Sequence, residues 1–233
     1  TFTAGTSTIT FSSTSPGHVI SGDLVGSNKF NSVTFTGAAG GWSFSSPADI
    51  GATFTQSNNT NTVTAPAGTL KVAGGFVKGA TATFTANGGT VEFNGAGAQA
   101  FPGAATTFEN VLVSNTGGTV TANATVTINT NLTTDVGSIL NMSTVTLTGG
   151  FAVAHSGTLQ TSSTANPPIP NSLTWGGTVV FTRTNGGQIL SSGTFNNLTF
   201  NNTSGTNTAN GNITINGTLT TTTGTGVLSM SRF

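Results

Sequence analysis

The chain has 233 residues, and its ten charged side chains, five Lys or Arg and five Asp or Glu, make up only 4% of it, against roughly 25% in an average globular protein. A net charge of zero with scattered basic residues leaves no basic patch for nucleic acid or for an anionic membrane surface. The absence of Cys removes disulfides, zinc–thiolate sites and thiol catalysis, and no run of about 18 apolar residues is present to cross a membrane as a helix.

The chain opens on Thr1-Phe2-Thr3-Ala4-Gly5, without Met and without a basic segment leading into an apolar one, which reads as a processed chain or a fragment. The first alternating element is Thr8-Ile9-Thr10-Phe11, followed by His18-Val19-Ile20 and Phe30-Asn31-Ser32-Val33-Thr34-Phe35. Thr90-Val91-Glu92-Phe93, Thr125-Val126-Thr127-Ile128, Val145-Thr146-Leu147 and Ile213-Thr214-Ile215 keep the pattern, with branched or aromatic groups on one face and Thr on the other. Thr is β-branched and suits the wet face of a strand. The predicted strands are about 3–6 residues long, separated by Gly, Asn and Ser as turn residues. The most loop-like stretch is 161–171, with Pro167, Pro168 and Pro170. No amphipathic helix is predicted. Thr, Gly, Asn and Ser supply 130 of the 233 residues. That polarity alone suggests disorder, and the regular placement of Phe, Val, Ile and Leu argues against it.

The chain also repeats. Residues 107–134 and 194–221 align without gaps at 16 identities in 28, where this composition predicts about 3 by chance. Upstream, Gly89-Thr90-Val91-Glu92-Phe93 pairs with Gly177-Thr178-Val179-Val180-Phe181, and Gln99 with Gln188. A degenerate third copy lies at the N-terminus, where His18 takes the position of the two Gln. Three long repeats result, near 1–75, 76–150 and 151–233, within a single domain spanning 1–233.

Two all-β architectures fit. A β-solenoid with coils of about 20–25 residues gives about ten coils, Val, Ile, Leu and Phe inward and Thr outward. Tandem β-sandwich domains are the alternative, and repeats of about 75–88 residues are small for them. The Cys pair and Tyr corner of the immunoglobulin type are missing. The solenoid is the better fit.

Phe93-Asn94-Gly95-Ala96-Gly97-Ala98-Gln99, Phe195-Asn196-Asn197-Leu198-Thr199-Phe200 and Asn216-Gly217-Thr218-Leu219 resemble the F-N-G-x-G-x-Q, F-N-N-L and N-G-T-L repeats of large bacterial secreted or cell-surface, adhesin-like proteins. The resemblance covers most of 85–233 and fades toward the N-terminus. It implies a right-handed β-helix, outside the cell or on its surface, in an adhesin or structural protein. It is specific for architecture and weak for function.

Candidate sites are few. Glu92 and Glu109 are the one pair of acids that neighbouring coils could bring together for polysaccharide cleavage, yet their repeat counterparts are Val180 and Asn196. His18 and His155 lack a Cys, Asp or Glu at metal-ligand spacing. No hydrolase elbow or phosphate loop is present, so the chain reads as no enzyme, with no cofactor and no metal. Trp42, in Gly40-Gly41-Trp42-Ser43-Phe44, is the candidate for stacking on a surface glycan. Abundant Thr-x-Thr pairs could match ice or a carbohydrate surface, although strand preference already explains the Thr.

The ends carry the leading expectation. A solenoid's end coils expose unpaired backbone groups. Val227, Leu228 and Met230 run to Phe233 at one end, and Thr1, Phe2 and Thr3 stand at the other. These residues form a predicted head-to-tail interface by which the chain polymerises with itself into a filament or sheath. An adhesin or carbohydrate-binding module is the alternative, and an ice-binding protein or a polysaccharide-cleaving enzyme follows behind.

Overall fold

The computed structural model describes residues 4–57, 59–100, 102–222 and 224–230. Every pairing between its strands is parallel. Hairpins would give antiparallel pairs, so the parallel pairs come from a chain that winds round an axis. Register sets the length of each turn: Thr8 faces Ser32, 24 residues on, and Thr178 faces Asn197, 19 residues on. About ten coils stack in this way into a β-solenoid. At an inter-strand spacing of about 4.8 Å the rod is about 50 Å tall. Tandem sandwiches are excluded, because they are built from antiparallel strands.

The coils have three sides. The first side begins with Thr8–Phe11, Ser32–Phe35, Phe54–Gln56 and Phe76–Lys78, and resumes at Gln99–Ala100, Thr119–Thr121, Ile139–Asn141 and Thr158–Thr161. The second side holds His18–Ile20, Gly41–Phe44, Thr62–Thr64 and Thr83–Thr85, then 106–108, 126–128 and Leu147–Thr148, and later Ile189–Leu190, Thr206–Ala209 and Val227–Ser229. The third side runs from Ala48–Ile50 through Thr69–Val72 and Thr90–Phe93 to 110–113, 131–134 and Ala152–His155. Strands of eight or nine residues, such as Thr106–Val113, Val126–Thr134, Leu173–Phe181 and Gly193–Phe200, exceed the predicted length because each rounds a corner and serves two sides. Register shifts between Phe108 and Asn110, and between Trp175 and Thr178, mark two of those corners. The proline-rich stretch 161–171 also fills a rung: the Pro168 carbonyl accepts from Leu147 N–H, and the Ile169 carbonyl from Ser191 Oγ.

The core is a column of inward side chains. Phe11, Phe35, Phe54 and Phe76 stand on successive coils with ring centroids 5.0, 5.5 and 4.5 Å apart. Beyond them Val120, Leu140, Leu159, Val179 and Leu198 continue the first side, all buried. Each such side chain contributes about 1.5–3 kcal/mol by leaving water.

The 107–134 and 194–221 repeats lie on different sides. Residues 107–108 are on the second side and 194–195 on the third; 119–121 are on the first and 206–208 on the second. An offset of 87 residues is therefore four coils plus one side. The repeating unit is a strand and a corner, and it serves any of the three sides equally.

Candidate binding surfaces

The residues singled out in the sequence scatter. Trp42 is a correction: it is 3% exposed, with its ring 5.2 Å from Phe35 and 6.4 Å from Phe11. Alternation in its strand sends Trp42 and Phe44 inward and leaves Gly41 and Ser43 outside, so the indole has no face for a sugar. Trp175 is buried as well. Among the described residues no Phe or Trp is exposed.

Glu92 sits mid-strand on the third side, 3.1 Å from Lys71 Nζ, and accepts from Ser114 Oγ at 2.8 Å. Glu109 lies at a corner of the next coil, where Thr130 Oγ1 and Asn129 Nδ2 donate to it. Those bonds hold its carboxyl below the usual range, Thr130 contributing most. Asn110 is opposite Thr90, so the two acids are offset by about 10 Å along the strand direction. Each is occupied by separate partners. His18 contacts Ser13 Oγ at 2.7 Å, and His155 is buried between Thr134 Oγ1 at 2.6 Å and the Thr178 carbonyl at 3.1 Å. Among the described residues no group of three or more His, Asp or Glu could hold a metal ion.

Both end coils present open edges. The strands Thr8–Phe11 and His18–Ile20 at one end, and Leu219–Thr221 and Val227–Ser229 at the other, each have a partner on one side only among the described residues. Leu219, opposite buried Leu198 and so inward, is left 48% exposed, and Met230 is 54% exposed; Val19 and Val227 point outward from the second side. Leu228 is half-buried and lines a 170 Å³ pocket with Val227, Asn202 and Asn207. In that region the buried Asn202 Oδ1 and Asn207 Nδ2 have no hydrogen-bond partner. The space suits bound water. Thr1, Phe2, Thr3 and Phe233 lie outside the described residues.

The second side carries a surface that composition alone did not disclose. Inward Val63, Phe84, Val126 and Leu147 are each flanked by two outward threonines: Thr62 and Thr64, Thr83 and Thr85, Thr125 and Thr127, Thr146 and Thr148. The coil between them has Ala105 and Thr107 outward. Nine of ten outward positions on five consecutive coils are thus Thr. Register aligns Thr62 with Thr83, Thr64 with Thr85, and Thr127 with both Thr107 and Thr148. Hydroxyls meet along the column, Thr125 to Thr146 at 3.3 Å and Thr127 to Thr148 at 2.9 Å. No charged or aromatic side chain points outward among these ten positions. The available sequence signal was phase: the pairs begin at 62, 83, 125 and 146, spaced by 21 or twice 21.

No protein-family model, curated protein or solved structure matches the chain.

Proposed function

We propose that the chain is an extracellular structural β-solenoid that extends head to tail, the last coil of one copy stacking on the first coil of the next. The observation that carries this reading is the pair of open parallel edges, with inward Leu219 and Leu228 and exposed Met230 at one end and half-buried Ile9 and Phe11 at the other. Such an edge is a template for a further strand. A contact between unlike ends does not close on itself and yields a fibre. The resemblance of 85–233 to repeats of bacterial surface proteins supports the extracellular setting. A carbohydrate-binding module has less support, since Trp42, its aromatic anchor, lies in the core.

Negative-stain electron microscopy of the purified chain over a range of concentrations tests the proposal. The expected result is fibres with an axial repeat of about 50 Å, one subunit of ten coils. Val227→Lys with Met230→Lys places charge on two exposed end residues and should leave separate rods, because edge charge blocks strand addition. Separate rods from the unsubstituted chain at every concentration would overturn it.

A further inference from the structure

We infer that the threonine grid on the second side is an ice-binding surface, whose ligand is an ordered plane of water. This reading stands apart from end-to-end assembly, because it uses a side of the rod and none of the end residues.

Strand preference does not account for the grid. That preference acts equally on all three sides, yet over the same five coils the third side has Thr at three of ten outward positions, among Lys71, Glu92, Leu112 and Ala154. The second side has nine. A difference between sides of one rod, built from one composition, needs a cause particular to that side.

Its geometry fits a lattice. On the ladders 62–64 with 83–85, and 106–108 with 126–128 and 147–148, adjacent coils separate equivalent backbone positions by about 4.8 Å, and two residues along a strand separate them by about 6.7 Å. That rectangular grid is close to the oxygen spacings on a prism face of hexagonal ice. Thr is stiff at χ1, and the Thr125–Thr146 and Thr127–Thr148 hydrogen bonds hold the side chains of four of the nine threonines against one another. Little freedom is left to lose when water orders on them, which favours binding by a preorganised surface. Each hydroxyl sits beside a methyl group that offers water no hydrogen bond, so water on this side is ordered by alternating polar and apolar points. A strongly hydrated charge would disrupt such a layer, and the grid has none. Flat sugars are recognised by stacked aromatic rings, and none points outward here.

The test is partition of the full 233-residue chain into slowly growing ice, with thermal hysteresis measured in parallel. The chain should enter the ice and shape the crystal. Thr85→Tyr with Thr127→Tyr, both outward and so compatible with folding, should abolish both effects. Thr85→Ser with Thr127→Ser, which removes only two methyl groups, should weaken them. Thr174→Tyr on the third side should leave them intact. Circular dichroism and melting confirm that each variant is folded. Carrying Val227→Lys and Met230→Lys in a parallel series separates this result from assembly, since ice binding should survive where fibres do not. Exclusion of the chain from ice, or entry of the Thr85→Tyr, Thr127→Tyr variant at the level of the unsubstituted chain, overturns the proposal. So does binding to crystalline chitin or cellulose, in place of ice, with the same sensitivity to these substitutions.

Discussion

His155 shows how a side chain with a functional reputation becomes structural. It is 3% exposed, edge-on to Trp175, and both ring nitrogens are used, one by Thr134 Oγ1 and the other by the Thr178 carbonyl. A carbonyl only accepts, so the nitrogen facing it carries the proton and the neutral ring is satisfied. Burial holds the imidazole below its ordinary value of 6.5. As pH falls through that value the unfolded chain takes up a proton that the folded ring does not, so folding loses stability on acidification and is indifferent above it. Urea midpoints at pH 8 and pH 5 should therefore differ, and His155→Gln should shrink the difference. The window stays above the usual carboxylate range. An unchanged difference in the variant would refute the assignment. In the core, Phe54 is fully buried between Phe35 and Phe76. Phe54→Ala should cost about 3–5 kcal/mol, read as a lower melting temperature.

Two buried glutamines explain why the strand–corner unit can repeat on any side. Gln99 donates to the Val72 and Gly74 carbonyls, 27 and 25 residues earlier, and accepts from Gly95 N–H. Gln188 donates to the Thr161 and Ser163 carbonyls, at the same two separations, and accepts from Arg183 N–H. One Gln turns from the third side to the first, and the other from the first to the second, with equivalent bonds. Gln99→Ala and Gln188→Ala should each destabilise by about 1–3 kcal/mol, the cost of stranding buried polar groups. Equal costs in urea denaturation would support the equivalence of the corners, and a large disparity would break it. This was partly legible in sequence: alternation showed strands, and the Gln99–Gln188 match showed a shared corner. The rotation between copies was not legible, because identity reports local backbone environment and is silent on which side of an axis that environment sits. Trp42 misled for a related reason. Its inward direction depends on strand phase, which the flanking glycines obscure. The number of Thr-x-Thr pairs does not distinguish a grid from strand preference; their 21-residue phase does, because it places them on one side.

Over the whole molecule, near-absence of charge governs how copies meet. Ten charges cancel to zero, and the one ion pair among the described residues, Lys71 to Glu92, lies within a single side. Copies therefore approach without net repulsion, and the proposed end contact is made of backbone hydrogen bonds and apolar groups such as Leu219 and Leu228. Raising NaCl to about 1 M cuts the Debye length to about 3 Å and screens surface charges. It should leave fibre growth nearly unchanged, because there is little charge to screen. Sulfate is excluded from protein surfaces and strengthens burial, so it should accelerate growth. Light scattering during assembly in the two salts reads both effects. Growth abolished by NaCl would mean that ion pairs hold the ends together. The few end-region charges would then be the place to look, and backbone stacking would lose its standing as the driving contact.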